Sequence, residues 1–167
     1  GFADGDSVIG LEPAGRIWIR GIRATPDGKL LLFGHAGLSE GIDAQAGREF
    51  DLYLRLTVDG RPDPTFGDGG VVLLDDRLGL RDVLVRPDGR LVGIGNREIS
   101  FGQYATTVWQ LDAGGSPDPS FAGGDAALLD VSDLAGEPVG TTVLGAALAS
   151  DGSLVMVGSP GALLPPL

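Results

Sequence analysis

The sequence predicts an all-β protein made of β-propeller-like repeats, each a blade of four short strands. Two blocks of sequence recur along the chain in the same order, and such internal repeats are typical of stacked or radial architectures. No segment of useful length shows the periodicity of an amphipathic helix, about 3.6 residues. These observations favour a fold in which similar sheets pack on one another.

The first block is a Pro-Asp-Gly turn between two apolar runs. It occupies residues 25–30 and 86–91, and it recurs at 149–154 with Ser150 in place of the proline. The copies lie 61 and 63 residues apart, counted from 25 to 86 and from 86 to 149. Because proline presets φ and glycine takes the left-handed position, each copy predicts a hairpin turn. The predicted flanking strands are 17–23 and 30–33, 80–85 and 91–94, and 143–148 and 154–157.

The second block joins two further strands. Residues 56–66 match residues 111–121 at a spacing of 55, from 56 to 111, and residues 2–6 look like the end of another copy. The strands after the Pro-Asp-Gly turns lack polar alternation, so we expect them to be buried on both faces. The strands before the second block, 51–58 and 106–111, alternate partly and are predicted to be one-sided. The strands after it are 71–74 and 126–131.

Each full unit therefore has four strands with apolar residues on both faces, and it needs copies of itself as neighbours. We predict a repeat region over 1–160, with units of roughly 1–74, 75–131 and 132–160, and a Pro-rich tail over 161–167. A strand near Val8 is left over. This makes about three blades, whereas closed propellers have about 4–8. We expect an incomplete ring that self-associates or is completed by other chain segments.

The order of these blocks resembles the bacterial delta-sixty repeat, a family associated with predicted β-propellers. The most specific matches are DLYLRL at 51–56, FGDGG at 66–70 and RPDG at 86–89. Ala122 and Asp125 depart from the pattern by replacing glycines. The resemblance covers residues 2–158 and implies blades of a large, often exported bacterial protein, with no shared reaction and no catalytic motif.

Composition excludes several classes of function. The 167 residues include 12 Lys and Arg against 23 Asp and Glu, and the net charge of −11 opposes binding to nucleic acid. With no cysteine and one histidine, zinc fingers, thiol catalysis and disulfide scaffolds are excluded. No apolar run reaches the ~18–20 residues of a membrane span, and residues 1–10 show no signal-peptide pattern. We expect no membrane insertion.

One catalytic motif occurs, the nucleophile-elbow pattern G-x-S-x-G at residues 37–41, but no helical stripe follows it as the motif requires. His35 precedes Ser39, and its equivalents in the later repeats are Asn96 and Ser159. We therefore interpret the motif as a glycine-rich blade loop and His35 as a polar loop residue. No catalytic residue is assigned.

Several aspartates fall in or beside the predicted loops, where clustered carboxylates can bind Ca²⁺. They are Asp4, Asp6, Asp63, Asp68, Asp75, Asp76, Asp118 and Asp125. None fits a calcium-loop spacing, and Asp-Gly and Asp-Pro steps are ordinary turn chemistry. We expect solvated turns, no metal and no cofactor, with calcium as the alternative.

Four aromatic residues, Trp18, Tyr53, Tyr104 and Trp109, are candidates for a sugar-stacking platform or for packing between blades. Trp109 occupies the repeat position of Leu54, which favours packing for the group. The packing interpretation assigns none of the four to a ligand.

Arginines on the first predicted inner strand are candidates for lining a channel and recruiting an anion. They are Arg16, Arg20 and Arg23, whereas the second copy holds Arg81 and Arg86 and the third has none. We interpret this as a feature that does not repeat.

The sequence thus predicts a non-catalytic structural or interaction module of a secreted or surface bacterial protein, presenting propeller loop faces to protein or glycan partners. A fold alone confers no function. The alternative is a glycan-active hydrolase or lyase that uses a pair of loop carboxylates about 5–10 Å apart. The ligand-binding residues are not determined by the sequence.

Overall fold

The computed structural model describes residues 16–38, 48–75, 78–100, 103–129 and 141–160. Within them the long elements are all β-strands, and a short 3₁₀ turn lies at Ala122–Gly124. No helix of this part of the chain is long and apolar enough to cross a bilayer. The all-β prediction is confirmed. The strands are β1 (Arg16–Ala24), β2 (Leu30–Leu38), β3 (Arg48–Leu56), β4 (Val71–Asp75), β5 (Leu80–Val85), β6 (Leu91–Ser100), β7 (Gln103–Leu111), β8 (Ala127–Leu128), β9 (Thr141–Leu148) and β10 (Leu154–Pro160).

The strands form three antiparallel sheets in chain order. The first sheet is β1-β2-β3-β4 and the second is β5-β6-β7-β8, while the third pairs β9 with β10 among the residues that the structure describes. This is the four-stranded blade predicted from the repeats. Strand β8 is shorter than the predicted 126–131, of which the last two residues lie outside the described ranges. The predicted strand near Val8 and the tail 161–167 lie outside them as well.

The Pro-Asp-Gly blocks form the predicted hairpin turns between the first and second strands of each sheet. Gly28, Gly89 and Gly152 have φ of 80°, 85° and 82°, in the left-handed region that glycine enters without a Cβ clash. In each turn the glycine N–H donates to a backbone carbonyl three residues earlier at 2.9 Å. The third turn, which has serine in place of proline, keeps the same geometry.

Each inner strand (β1, β5 and β9) carries a β-bulge at the same distance from its turn. Pairing with the next strand skips Arg20, Arg81 and Leu144, which stand five positions before residues 25, 86 and 149. The glycines that end the apolar runs face these bulges. They are Gly34, Gly95 and Gly158. A Cβ on any of them would overlap a backbone carbonyl of the inner strand or, at Gly95, of the two residues just before it, so glycine permits the close approach of the two segments.

Apolar side chains of neighbouring sheets form the core. Phe33 and Tyr53 of the first sheet pack with Val83 and Trp109 of the second. Phe66, from the second repeat block, is fully buried in the same cluster. A second cluster joins the second and third sheets, and its members include Val92, Ile94, Val108, Val143 and Met156. The sheets therefore stack face to face, each covering its neighbour.

The third strand of each four-stranded sheet is buried on both faces over its second half, so the predicted one-sided burial of 51–58 and 106–111 is wrong there. Residues 51–56 and 105–111 are all buried. Arg55 donates to the carbonyl of Ala113 in a turn of the second sheet, and Gln110 is held within its own sheet by Arg86 and Asp118. Buried polar groups are tolerated where hydrogen bonds satisfy them.

The strands after the turns are predicted to be buried on both faces. This prediction is right for β6 and wrong for β10. Val92 and Ile94 are buried, whereas the equivalent Val155 and Val157 are 53% and 64% exposed. The difference arises because no described sheet packs on that face of the third sheet. Strand β1 also exposes apolar side chains, namely Trp18, Ile19 and Ile22.

Replacing Gly28 with alanine tests the left-handed turn position. Because a Cβ is strained at φ of 80°, Gly28→Ala should lower the free energy of unfolding by about 1 kcal/mol, measured by urea denaturation. Gly145→Ala is the control, since Gly145 lacks a positive φ and a Cβ there would meet nothing within 4 Å. An equal loss of unfolding free energy in the two variants would contradict the left-handed assignment of Gly28.

Candidate functional site

Two repeat-equivalent aspartates, Asp63 and Asp118, organise the loop after the third strand of each sheet. The N–H of Thr65 donates to Asp63 Oδ1 at 3.0 Å, and Arg55 Nε and Lys29 Nζ contact Oδ2 at 2.7 and 3.0 Å. The second sheet repeats this arrangement around Asp118. Its partners there are Ser120, whose N–H donates at 2.9 Å, Gln110 Nε2 at 2.6 Å and Arg90 Nε at 3.2 Å.

These contacts keep both carboxyls ionised at neutral pH. Burial of Asp63 opposes ionisation, but hydrogen bonds from Thr65, Lys29 and Arg55 outweigh it and hold the pKa well below its usual value. The hydroxyl and N–H of Ser120, followed by the Gln110 amide, lower the pKa of Asp118 to about 2. A carboxyl with so low a pKa cannot serve as a general acid near neutral pH.

The calcium alternative finds no support in the described ranges. No group of three His, Asp or Glu side chains that could hold a metal forms there. The buried Asp63 and Asp118 are partly neutralised by Lys and Arg, while Asp68 and Asp125 are exposed. Asp75 ends β4. The remaining candidates, Asp4, Asp6 and Asp76, lie outside the described residues.

His35 lies within β2 and not in a loop, so that part of the sequence interpretation is wrong. Its Nδ1 stands 3.3 Å from Oδ1 of Asp51 on the neighbouring strand, and it is held by this cross-strand contact. Asn96 and Thr106 take the same positions in the second sheet, with Thr106 Oγ1 3.4 Å from Asn96 Oδ1. Ser39 of the G-x-S-x-G pattern lies outside the described residues.

Sequence reasoning missed a set of hydrogen bonds that join neighbouring sheets. Asp51 Oδ1 accepts from the N–H of Leu80 at 3.2 Å, and Asn96 Oδ1 accepts from the N–H of Val143 at 3.0 Å. Leu80 and Val143 both stand six positions before their turn blocks at 86 and 149, so the donors are repeat-equivalent. Arginines add contacts to the next turn: Arg55 donates to the carbonyl of Ala113, and Arg86 to that of Gly152. The repeat spacing was the only signal for these contacts.

The aromatic candidates divide into two kinds. Tyr53 and Trp109 are buried between the first and second sheets, and Trp109 Nε1 donates to the Tyr53 hydroxyl at 2.9 Å. Burial, followed by the charge of Asp51, raises the pKa of Tyr53 well above its usual value. The packing prediction is therefore right for this pair. It is wrong for Trp18 and Tyr104, which are 49% and 43% exposed.

One arginine of the first inner strand has an equivalent in the second, whereas the third inner strand holds no arginine, as the sequence interpretation states. Arg20 and Arg81 are the bulge residues of β1 and β5, and both line a cavity of about 310 Å³ together with the third bulge residue, Leu144. Arg23 is engaged elsewhere, because it pairs with Asp82 and donates to the carbonyl of Val83 at 3.1 Å. The arrangement can present two guanidinium groups to an anion.

Comparison with known proteins gives one match. A family model described as a domain of unknown function (DUF5122) β-propeller covers residues 86–121, which run from the second Pro-Asp-Gly turn to the end of the second Pro-Asp-Pro block. No curated protein and no solved structure matches the chain significantly. The match supports a propeller-repeat family, and the four-stranded sheets agree with it.

The low pKa values of Asp63 and Asp118 predict a loss of stability in acid. A carboxyl whose folded pKa lies below the unfolded value of about 3.9 stabilises the fold above that value and ceases to do so as the pH falls through the folded pKa. The free energy of unfolding from urea titrations should therefore decrease between about pH 5 and pH 2. This decrease should be shallower in Asp118→Asn. Asp68→Asn is the control at an exposed loop position, and its free energy of unfolding should fall with pH as steeply as that of the wild type. An equally shallow decrease in both variants would refute the role given to Asp118.

The hydrogen bond between Tyr53 and Trp109 predicts a second effect on stability. Tyr53→Phe leaves the buried Trp109 N–H without its acceptor and should lower the free energy of unfolding by about 1–3 kcal/mol. The change in the free energy of unfolding can be measured by tryptophan fluorescence during urea denaturation. Tyr104→Phe removes a hydroxyl from a 43% exposed side chain and should change stability by less than about 0.5 kcal/mol. A loss of the same size in both variants would show that the buried contact is not the cause.

Proposed function

Taking the β-propeller match as the premise, we propose that the chain is a non-catalytic structural and interaction module of a secreted or surface bacterial protein. Its partner is a further propeller blade, supplied by a second copy of the chain. The location outside the cell is supported by the resemblance to delta-sixty repeats, and proteolysis of intact cells tests it. Full protection of the chain in cells whose known surface proteins are digested would contradict that location.

The observation that carries this proposal is an uncovered sheet face on β9 and β10. We call it the end face, and it consists of Ala147, Val155 and Val157, all exposed. The equivalent residues of the second sheet, Leu84, Val92 and Ile94, pack against the third sheet. Because the same face is covered wherever a following sheet exists, its exposure indicates a place for one more blade.

The first sheet offers a face of the kind that would cover it. Ile22 is 53% exposed, whereas the equivalent Val83 of the second sheet is fully buried against the first sheet. The first sheet of a second copy can therefore pack its β1 face on the end face. This head-to-tail contact repeats the packing of one sheet on the next within the chain. Covering a valine side chain contributes up to about 1.5–3 kcal/mol.

A protein partner suits the end face better than a glycan. Its side chains are aliphatic, whereas sugar platforms are built from aromatic rings with polar groups beside them. The aromatic pair at the centre of the first interface, Tyr53 and Trp109, is buried. Among the loop carboxylates that the enzymatic alternative could use, Asp63 and Asp118 are held ionised by loop contacts, which argues against either as a general acid.

Sedimentation of the purified chain tests this function. The wild-type chain should show a mass that rises with concentration, and the double variant Val155→Asp and Val157→Asp should lower it, because each charge would have to be desolvated in the contact. Ile22→Asp should have the same effect from the complementary side. Val58→Asp is the matched control, since Val58 is a 68% exposed valine outside the end face.

Two outcomes would refute the proposal. One is a wild-type chain that remains monomeric over the whole accessible range of concentration. The other is an equal loss of association in Val58→Asp. Circular dichroism of each variant shows that the sheets remain intact, so that a lower mass reports the contact and not unfolding.

A further inference from the structure

We propose that the inner-strand cavity is a binding site for a small molecule carrying a carboxylate or phosphate group, which Arg20 and Arg81 hold. The cavity, of about 310 Å³, lies where β1, β5 and β9 come together, so each of the three sheets contributes to it. None of the end-face residues lines it, so the inference does not rest on association between copies of the chain.

The β-bulges account for the meeting of these side chains. A bulge leaves one residue unpaired and changes the direction of its side chain, and bulges are common beside functional sites. Arg20, Arg81 and Leu144 occupy the bulge of their respective strands, and all three line the cavity. The repeat thus directs one side chain per blade toward a common space, and two of the three are arginine.

The charges around the cavity favour an anion. The side chains of Arg20 and Arg81 make no ion pair or hydrogen bond with the part of the chain that the structure describes, although the protein has a net charge of −11. Asp82 is the one carboxylate among the lining residues, and Arg23 already pairs with it. The positive charge of the two bulge arginines is therefore not cancelled by the groups beside them.

The size and lining of the cavity define the ligand class. A guanidinium group matches a carboxylate or phosphate with two parallel hydrogen bonds, and two such groups suit one oxyanion. The apolar part of the lining, which includes Ile94, Val143 and Ala146, excludes some water and strengthens the attraction. A volume at the low end of the range for ligand pockets, about 300–1,000 Å³, indicates a compact molecule.

Titration calorimetry on the full chain tests the site. The probes are inorganic phosphate and glucuronate, each measured against sodium chloride at constant ionic strength. We expect binding of at least one of them, and the stronger of the two identifies a phosphate or a carboxylate ligand. Arg20→Gln and Arg81→Gln should each weaken the affinity about tenfold or more, as expected for the loss of a charged hydrogen bond.

Arg61→Gln is the matched control, because Arg61 lies in the turn after β3 and its side chain is 60% exposed. Its affinity should equal that of the wild type. The proposal is overturned if the wild-type chain binds neither anion, if the two bulge variants bind as the wild type does, or if Arg61→Gln weakens binding equally. Because Arg20 and Arg81 are exposed, their replacement should leave the urea midpoint unchanged. Repeating the titration in the Val155→Asp and Val157→Asp background separates anion binding from association.

Discussion

The face-to-face burial of one sheet by the next is the constraint on which the rest of the structure depends. A four-stranded sheet of this chain carries apolar residues on both sides, so it is stable only where a neighbour removes them from water. Tyr53 and Trp109 show how specific the contact is, since two large rings pack and share a hydrogen bond across the interface. The end face, with Val155 and Val157 exposed, is the same surface without its neighbour.

Polar residues are used to fix the register of this stacking. Asp63 and Asp118 hold the loops from which Phe66 and Phe121 enter the two interfaces, and Arg55 links such a loop to the following sheet. Burial of these charges is tolerated because each has several partners. The carboxylates of Asp63 and Asp118 are thus bound by side chains of their own sheets, whereas the two bulge arginines have no such partner in the described part of the chain.

The sequence predicted some of the site and missed the rest for identifiable reasons. It identified Trp109 as a packing residue, because the position equivalent to it holds Leu54. It placed His35 in a loop, because a glycine before it suggested the end of a strand, when Gly34 is needed instead for close approach to β1. It treated the arginines as non-repeating because the third copy holds none. Strand pairing adds that Arg20 and Arg81, which have the 61-residue spacing of the first two turns, both occupy bulges.

The sequence by itself determined the turns, the number of strands in each full blade and the all-β class. These depend on neighbouring residues, such as the proline and glycine of each turn, whose backbone preferences act locally. The tertiary structure decided which faces are covered, why a polar residue such as Arg55 is buried, and that Arg20 and Arg81 share a cavity. Those features depend on residues of different sheets, some sixty positions apart in the chain, and they exist only once the sheets have stacked.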